Sequence, residues 1–170
     1  MTTRAPLRVG VIGAGVFAGL HAGKIAANPD AVLAGLYDID GPRTQALAGT
    51  HGAPEFASLA ELLAACDAVV VASAAVAHEE QAGAALAAGR HAYVEKPLAT
   101  SGAGARALAT AAAAGGLVLQ VGHQERIVAL ATSGAIRSPE IQLYPLSDAA
   151  AAHRISEGRH FSGQLVCKGR

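Results

Sequence analysis

Apolar residues come along this chain in short unbroken runs, separated by longer stretches rich in alanine and other helix formers. Val9-Gly10-Val11-Ile12, the run that ends on Asp38, residues 68–72, residues 91–94 and residues 117–121 all lack the polar alternation of a half-exposed strand. Such runs suit parallel strands covered on both faces. Residues 53–56 make a brief further strand candidate. Helices are expected after the first run, over 43–50 behind Gly41-Pro42, over 59–65, over 79–88 as far as Gly89, and over 104–114 as far as Gly115-Gly116. Ser58 with Glu61 three residues on has capping-box spacing. Strands alternating with helices predict an α/β fold with a doubly wound parallel sheet of six strands, complete by Gly122. Beyond it, a helix over 127–132, strands over 140–146 and 164–168, and a helix over 147–157 capped by Ser147 predict a short C-terminal β-α-β extension. The expected division is a domain of residues 1–126 and an extension of residues 127–170.

The first strand runs directly into Gly13-Ala14-Gly15-Val16-Phe17-Ala18, and a helical pattern follows. This order of strand, glycine turn, helix and second strand is the unit that cradles a dinucleotide in a Rossmann fold. Gly13 permits the tight turn, Gly15 lets a pyrophosphate approach the backbone, and Ala18 is small enough for helix to lie close on strand. The free N–H groups at the helix start, through Val16 and Phe17, favour the phosphates. Asp38, about 20 residues on, stands where a carboxylate accepts hydrogen bonds from a ribose.

Lys and Arg together number 13, as do Asp and Glu, so the formal net charge is zero. That balance argues against nucleic-acid and anionic-membrane surfaces, both of which need clustered positive charge. At 52% apolar and 15% charged residues, a sizeable core is expected. Of the two cysteines, Cys66 falls in an apolar segment, so it is expected as a buried small side chain; no disulfide and no metal site are expected. The N-terminus lacks the apolar region of a signal peptide, and no apolar run is long enough to span a bilayer. A cytoplasmic location is expected.

As far as about Arg126 the chain resembles the Gfo/Idh/MocA family of NAD(P)-dependent oxidoreductases. The resemblance rests on VIGAGVFAGLHA, on DAVVVASAAVAHEEQAGAALAAGRHAYVEKPLAT, and on VGHQER, in that order. It implies action on sugars, cyclitols and related polyols. It also implies that Lys96, in the signature Glu95-Lys96-Pro97, sits beside nicotinamide and substrate and orients a hydroxyl or polarises a carbonyl. Lys96 is the candidate catalytic residue, and the end of a parallel strand is also where open α/β sheets place their ligands. Ser73 and His78 match the family's turn after the preceding strand, with Ala74 and Ala75 where the family has Pro and Asn. His123 begins the segment that passes to the family's substrate domain. The cofactor-binding candidates are thus Gly13, Gly15, Val16, Phe17, Asp38, Ser73, His78, Glu95, Lys96, Pro97 and His123. His21 is expected as a packed helix residue.

The family continues into a second α/β domain with an Asp-x-x-x-His motif, for which this sequence has no room. Asp148 and His153 are five apart, which turns them to different faces of a helix. Residues 133–168 instead resemble the C-terminal end of medium-chain quinone or alcohol dehydrogenases, with Gln164 in place of a lysine. The chain therefore looks like a join of two oxidoreductase pieces. Hydride transfer with NAD, which Asp38 favours over NADP despite nearby Arg43, is the expected chemistry. The alternative is a dinucleotide-binding module, or an oligomeric scaffold, without turnover. A homo-oligomer, a dimer in the simplest case, is expected because the missing domain would leave apolar surface bare.

Overall fold

The computed structural model describes residues 5–122 in full, together with the backbone of two strands at 140–145 and 163–168. By contact the chain divides into Met1–Gly122 and His123–Arg170. The first unit holds a parallel sheet of five strands: β1 (Leu7–Ile12), β2 (Ala31–Tyr37), β3 (Ala68–Val71), β4 (His91–Glu95) and β5 (Leu119–Gly122). Their spatial order is β2-β1-β3-β4-β5, all pairs parallel. The helices are α1 (Val16–Ala26), α2 (Gly41–His51), α3 (Leu59–Ala65), α4 (His78–Ala87) and α5 (Gly102–Gly115).

Side-chain alternation sends successive strand residues to opposite faces, and the core divides accordingly. Val9 and Val11 pack with Ala18 and Ala22 of α1 and Ala48 of α2. Ile12, Val69, Val71 and Val94 pack with Leu62, Ala85, Leu108 and Ala112 of α3, α4 and α5. Both faces are therefore wound, as the unbroken apolar runs require. Gly10 belongs to the second face, where an added Cβ would come within 2.8 Å of Leu62; its bareness seats α3 on the sheet. Cys66 is fully buried and free, and burial pushes its thiol above the ordinary range.

Two strand expectations are corrected. Residues 53–56 contribute one parallel bridge, Leu36 to Glu55, rather than a sixth strand. Pro54 has no N–H to donate, so the segment makes only the bonds Leu36 N–H to Pro54 O and Phe56 N–H to Leu36 O, both 2.9 Å. The bridge lies on the side of β2 away from β1. The last strand begins at Leu119 instead of Leu117, because the two preceding N–H groups are already taken. Leu117 donates to Ala112 O at the end of α5, and Val118 donates to His91 Nδ1. The Ser58–Glu61 capping box is formed in both directions.

In the second unit, β6 (Glu140–Pro145) and β7 (Gly163–Lys168) pair in parallel, from Glu140 opposite Gly163 to Pro145 opposite Lys168. The helices expected at 127–132 and 147–157, with Asp148 and His153, lie outside the described residues. No helix among the described residues is long and apolar enough to cross a membrane.

Candidate functional site

The chain leaves β1 in one direction to form β2 and then crosses to its other side to form β3. Connections that part in this way open a crevice at the C-terminal ends of the strands. The turn after β1 lies at its head. Gly13 has φ +117°, its N–H donates to Tyr37 O at 2.8 Å, and a Cβ there would lie 2.7 Å from Ala72 O. Gly15 has extended backbone, and a Cβ built on it meets nothing within 4 Å. The space it faces is open. Side chains of Asp40, Ser58 and Ser101 cap α2, α3 and α5, whereas no side chain caps α1. The N–H groups of its first turn, at exposed Val16 and Phe17, therefore face that space with the positive end of the helix dipole.

Asp38 closes the other side. One carboxylate oxygen accepts the N–H of Ala14 at 2.7 Å and the other that of Asp40 at 3.0 Å. The acid expected to meet a ribose thus also holds the glycine turn against the end of β2, and each oxygen keeps a lone pair for a further donor.

Past β3, a 3-10 turn at Ala75–Ala77 leads into α4. Ser73 donates its hydroxyl to Gln81 Oε1 at 2.5 Å. His78, 1% exposed, has Nδ1 2.7 Å from Pro97 O and Nε2 3.2 Å from Ser73 O. It ties the loop after β3 to the loop after β4, so its place is between the two strand ends rather than on the open surface. At the end of β4 the Lys96–Pro97 peptide is cis, and both residues are exposed at the ligand edge. Glu95, one residue earlier, turns inward: its carboxylate lies 2.7 Å from Nε2 of His21 on α1, with the pair 7% and 8% exposed. The structure therefore brings Gly13, Gly15, Val16, Phe17, Asp38, Ser73, Lys96 and Pro97 to one edge of the sheet, with His78 and Glu95 beneath it. His123 lies outside the described residues. Sequence reasoning missed Gln81 as the partner of Ser73, and Asp40 as the cap of α2; the Asp-Gly-Pro run was the available signal for the latter.

A parallel sheet that reverses at β1, with an open glycine turn at an uncapped helix start and an acid at the end of β2, defines the dinucleotide-binding class of α/β domain. The chain belongs to the Gfo/Idh/MocA oxidoreductase family with the NAD-binding Rossmann fold, whose pattern matches residues 7–123. It is 41% identical over 128 residues to inositol 2-dehydrogenase of Cereibacter sphaeroides, covering 71% of this chain and 37% of that protein. Among solved structures it is similar to UDP-N-acetylglucosamine 3-dehydrogenase GnnA of Acidithiobacillus ferrooxidans, with TM-score 0.69 and 33% identity over 84% of this chain and 49% of that one. It is likewise similar to GenD2 from gentamicin A biosynthesis in complex with NAD, with TM-score 0.68 and 40% identity over 72% of this chain and 36% of that one. The chain spans less than half the length of these relatives.

Proposed function

We propose that this chain is the cofactor-holding part of an NAD-dependent oxidoreductase acting on a hydroxyl or carbonyl of a sugar, cyclitol or polyol. The observation that carries it is the open face of Gly15 at the uncapped start of α1, opposite Asp38. When bound, the nicotinamide supplies hydride transfer. The chain's own groups do the rest: the glycine turn and the first-turn N–H groups of α1 hold the pyrophosphate, and Asp38 accepts from the adenosine ribose. His78 keeps the Ser73 and Pro97 loops together around the nicotinamide end. Lys96 orients the substrate oxygen there. The relatives' names, inositol 2-dehydrogenase and UDP-N-acetylglucosamine 3-dehydrogenase, support polyols and sugars as the substrate class.

No described residue is assigned the proton transfer that accompanies hydride transfer, which favours the second reading, a dinucleotide-binding module without turnover. Calorimetric titration with NADH, followed by a polyol and sugar screen of wild type and Lys96→Ala, separates the two. The oxidoreductase reading expects turnover that Lys96→Ala lowers by about a hundredfold or more, with NADH affinity held within about twofold. Turnover untouched by that change would refute the role of Lys96, and absence of turnover on every substrate would leave the binding module. As part of the same proposal the protein acts in the cytoplasm as a homodimer, for which exposed Leu20 and Val32 offer apolar surface. A monomeric mass by light scattering at micromolar concentration would count against the dimer.

A further inference from the structure

Outside the glycine turn, beyond the end of β2, lies a cavity of about 730 Å³. Asp38 forms part of its wall, as do Pro42 and Thr44 of α2 and, from the bridging segment, Glu55 and Phe56. The charged residues in that wall are two carboxylates, Asp38 and Glu55, and none of the lining residues is Lys or Arg. Glu55 is placed there by backbone pairing. The flanking bonds of Pro54 and Phe56 to Leu36 fix its position, and Gly35 has no side chain to obstruct the Phe56 ring.

The start of α2 also opens on this cavity, and a free helix N-terminus would attract a phosphate. Here its Arg43 donor is already taken. Asp40 accepts the N–H of Arg43 on Oδ1 at 3.1 Å, its backbone oxygen accepts the N–H and hydroxyl of Thr44, and Pro42 has no N–H. Arg43, the cation nearest in sequence, has its Nε 4.0 Å from Asp40 Oδ2 and stays out of the cavity wall. A ribose held at Asp38 would direct any substituent on its 2′-oxygen into this space.

We infer that Glu55 and Asp40 are specificity-determining residues, which together with Asp38 make this cavity reject a ribose 2′-phosphate and so select NADH over NADPH. The inference rests on the dinucleotide reading above. Asp38 faces the ribose itself. Glu55 adds a second negative wall, and Asp40 occupies the Arg43 N–H at the start of α2 while its carboxylate draws the Arg43 side chain to itself.

The test is titration of the whole chain with NADH and with NADPH, comparing wild type with Glu55→Gln, Asp40→Asn and Asp30→Asn. Glutamine keeps the shape of Glu55, and asparagine can still cap α2 at position 40. Asp30 lies in the turn before β2, at the opposite edge of the sheet, so its variant makes the same change in net charge far from the cavity. The ratio of NADPH to NADH affinity is expected to rise about three- to tenfold for Glu55→Gln and for Asp40→Asn, and to stay at the wild-type value for Asp30→Asn. An unchanged ratio in the first two variants, or an equal rise in the third, would overturn the inference while leaving the dinucleotide site intact. Wild-type protein that binds neither nucleotide would overturn the dinucleotide reading and this inference with it.

Discussion

At Gly13 the chain turns with φ +117° and passes so near Ala72 that a Cβ would lie 2.7 Å from a backbone oxygen. Neither the angle nor the contact can be relieved by moving a flexible side chain. Two positions on, Gly15 is extended and faces open space. The fold requires the first glycine; only the proposed cofactor site requires the second. Gly13→Ala is therefore expected to cost about 2–4 kcal/mol, seen as a lower urea midpoint. Gly15→Val should keep the wild-type midpoint and lose NADH binding. A Gly15→Val protein that binds NADH normally would sink the cofactor assignment. Both glycines stood out in the sequence, but their different reasons did not, because the distinction depends on what lies across the turn.

Between elements, the N-terminal edge of the sheet is pinned by a pair with no local sequence signal. Arg8, at the start of β1, donates from its backbone N–H and its Nε to Asp67 Oδ2, at 3.0 and 3.1 Å, and its Nη2 lies 2.5 Å from Oδ1. Asp67 immediately precedes β3, and its own N–H donates to Arg8 O at 2.8 Å. The guanidinium and the backbone N–H of Arg8 pull the Asp67 carboxyl from its ordinary 3.8 down to about 2. A carboxyl whose folded value is depressed contributes its stabilisation in full above the unfolded value. That contribution is lost as pH falls from 3.8 towards about 2. An NMR titration of the Asp67 carboxyl carbon should show the low midpoint in wild type and a return towards 3.8 in Arg8→Ala. An ordinary midpoint in wild type would refute the pairing. Because the pair is exposed to solvent, its effect on global stability should be small.

Across the whole first unit, α3, α4 and α5 bury an apolar face, whereas the opposite side of β4 meets α1 through polar groups. There the His21 ring packs edge-on against Tyr93 with centroids 5.2 Å apart and bonds to buried Glu95. Removing one partner strands the other away from water, so Glu95→Ala is expected to cost about 3 kcal/mol. Glu95→Gln, which can still accept a hydrogen bond from the imidazole, should cost much less. Equal losses in the two variants would show that shape rather than hydrogen bonding matters at this position.

The sequence by itself determined the alternation of strands and helices, both windings of the sheet, the glycine turn with its acid, and the family, because each depends on periodicity or on residues close together in the chain. Its limits fell where backbone donors had competing uses: Pro54 and the N–H groups of Leu117 and Val118 decided how long strands could be. Only the tertiary structure decided that His21 belongs to Glu95, that His78 joins two loops, that Asp38 holds the turn as well as facing the crevice, and that Glu55 shares a cavity wall with Asp38. The bonds of His21 to Glu95, His78 to Pro97 and Asp38 to Ala14 span from 19 to 74 residues of chain. Contacts at that separation are set by how layers pack and which strands become neighbours, and no local pattern along the chain encodes them.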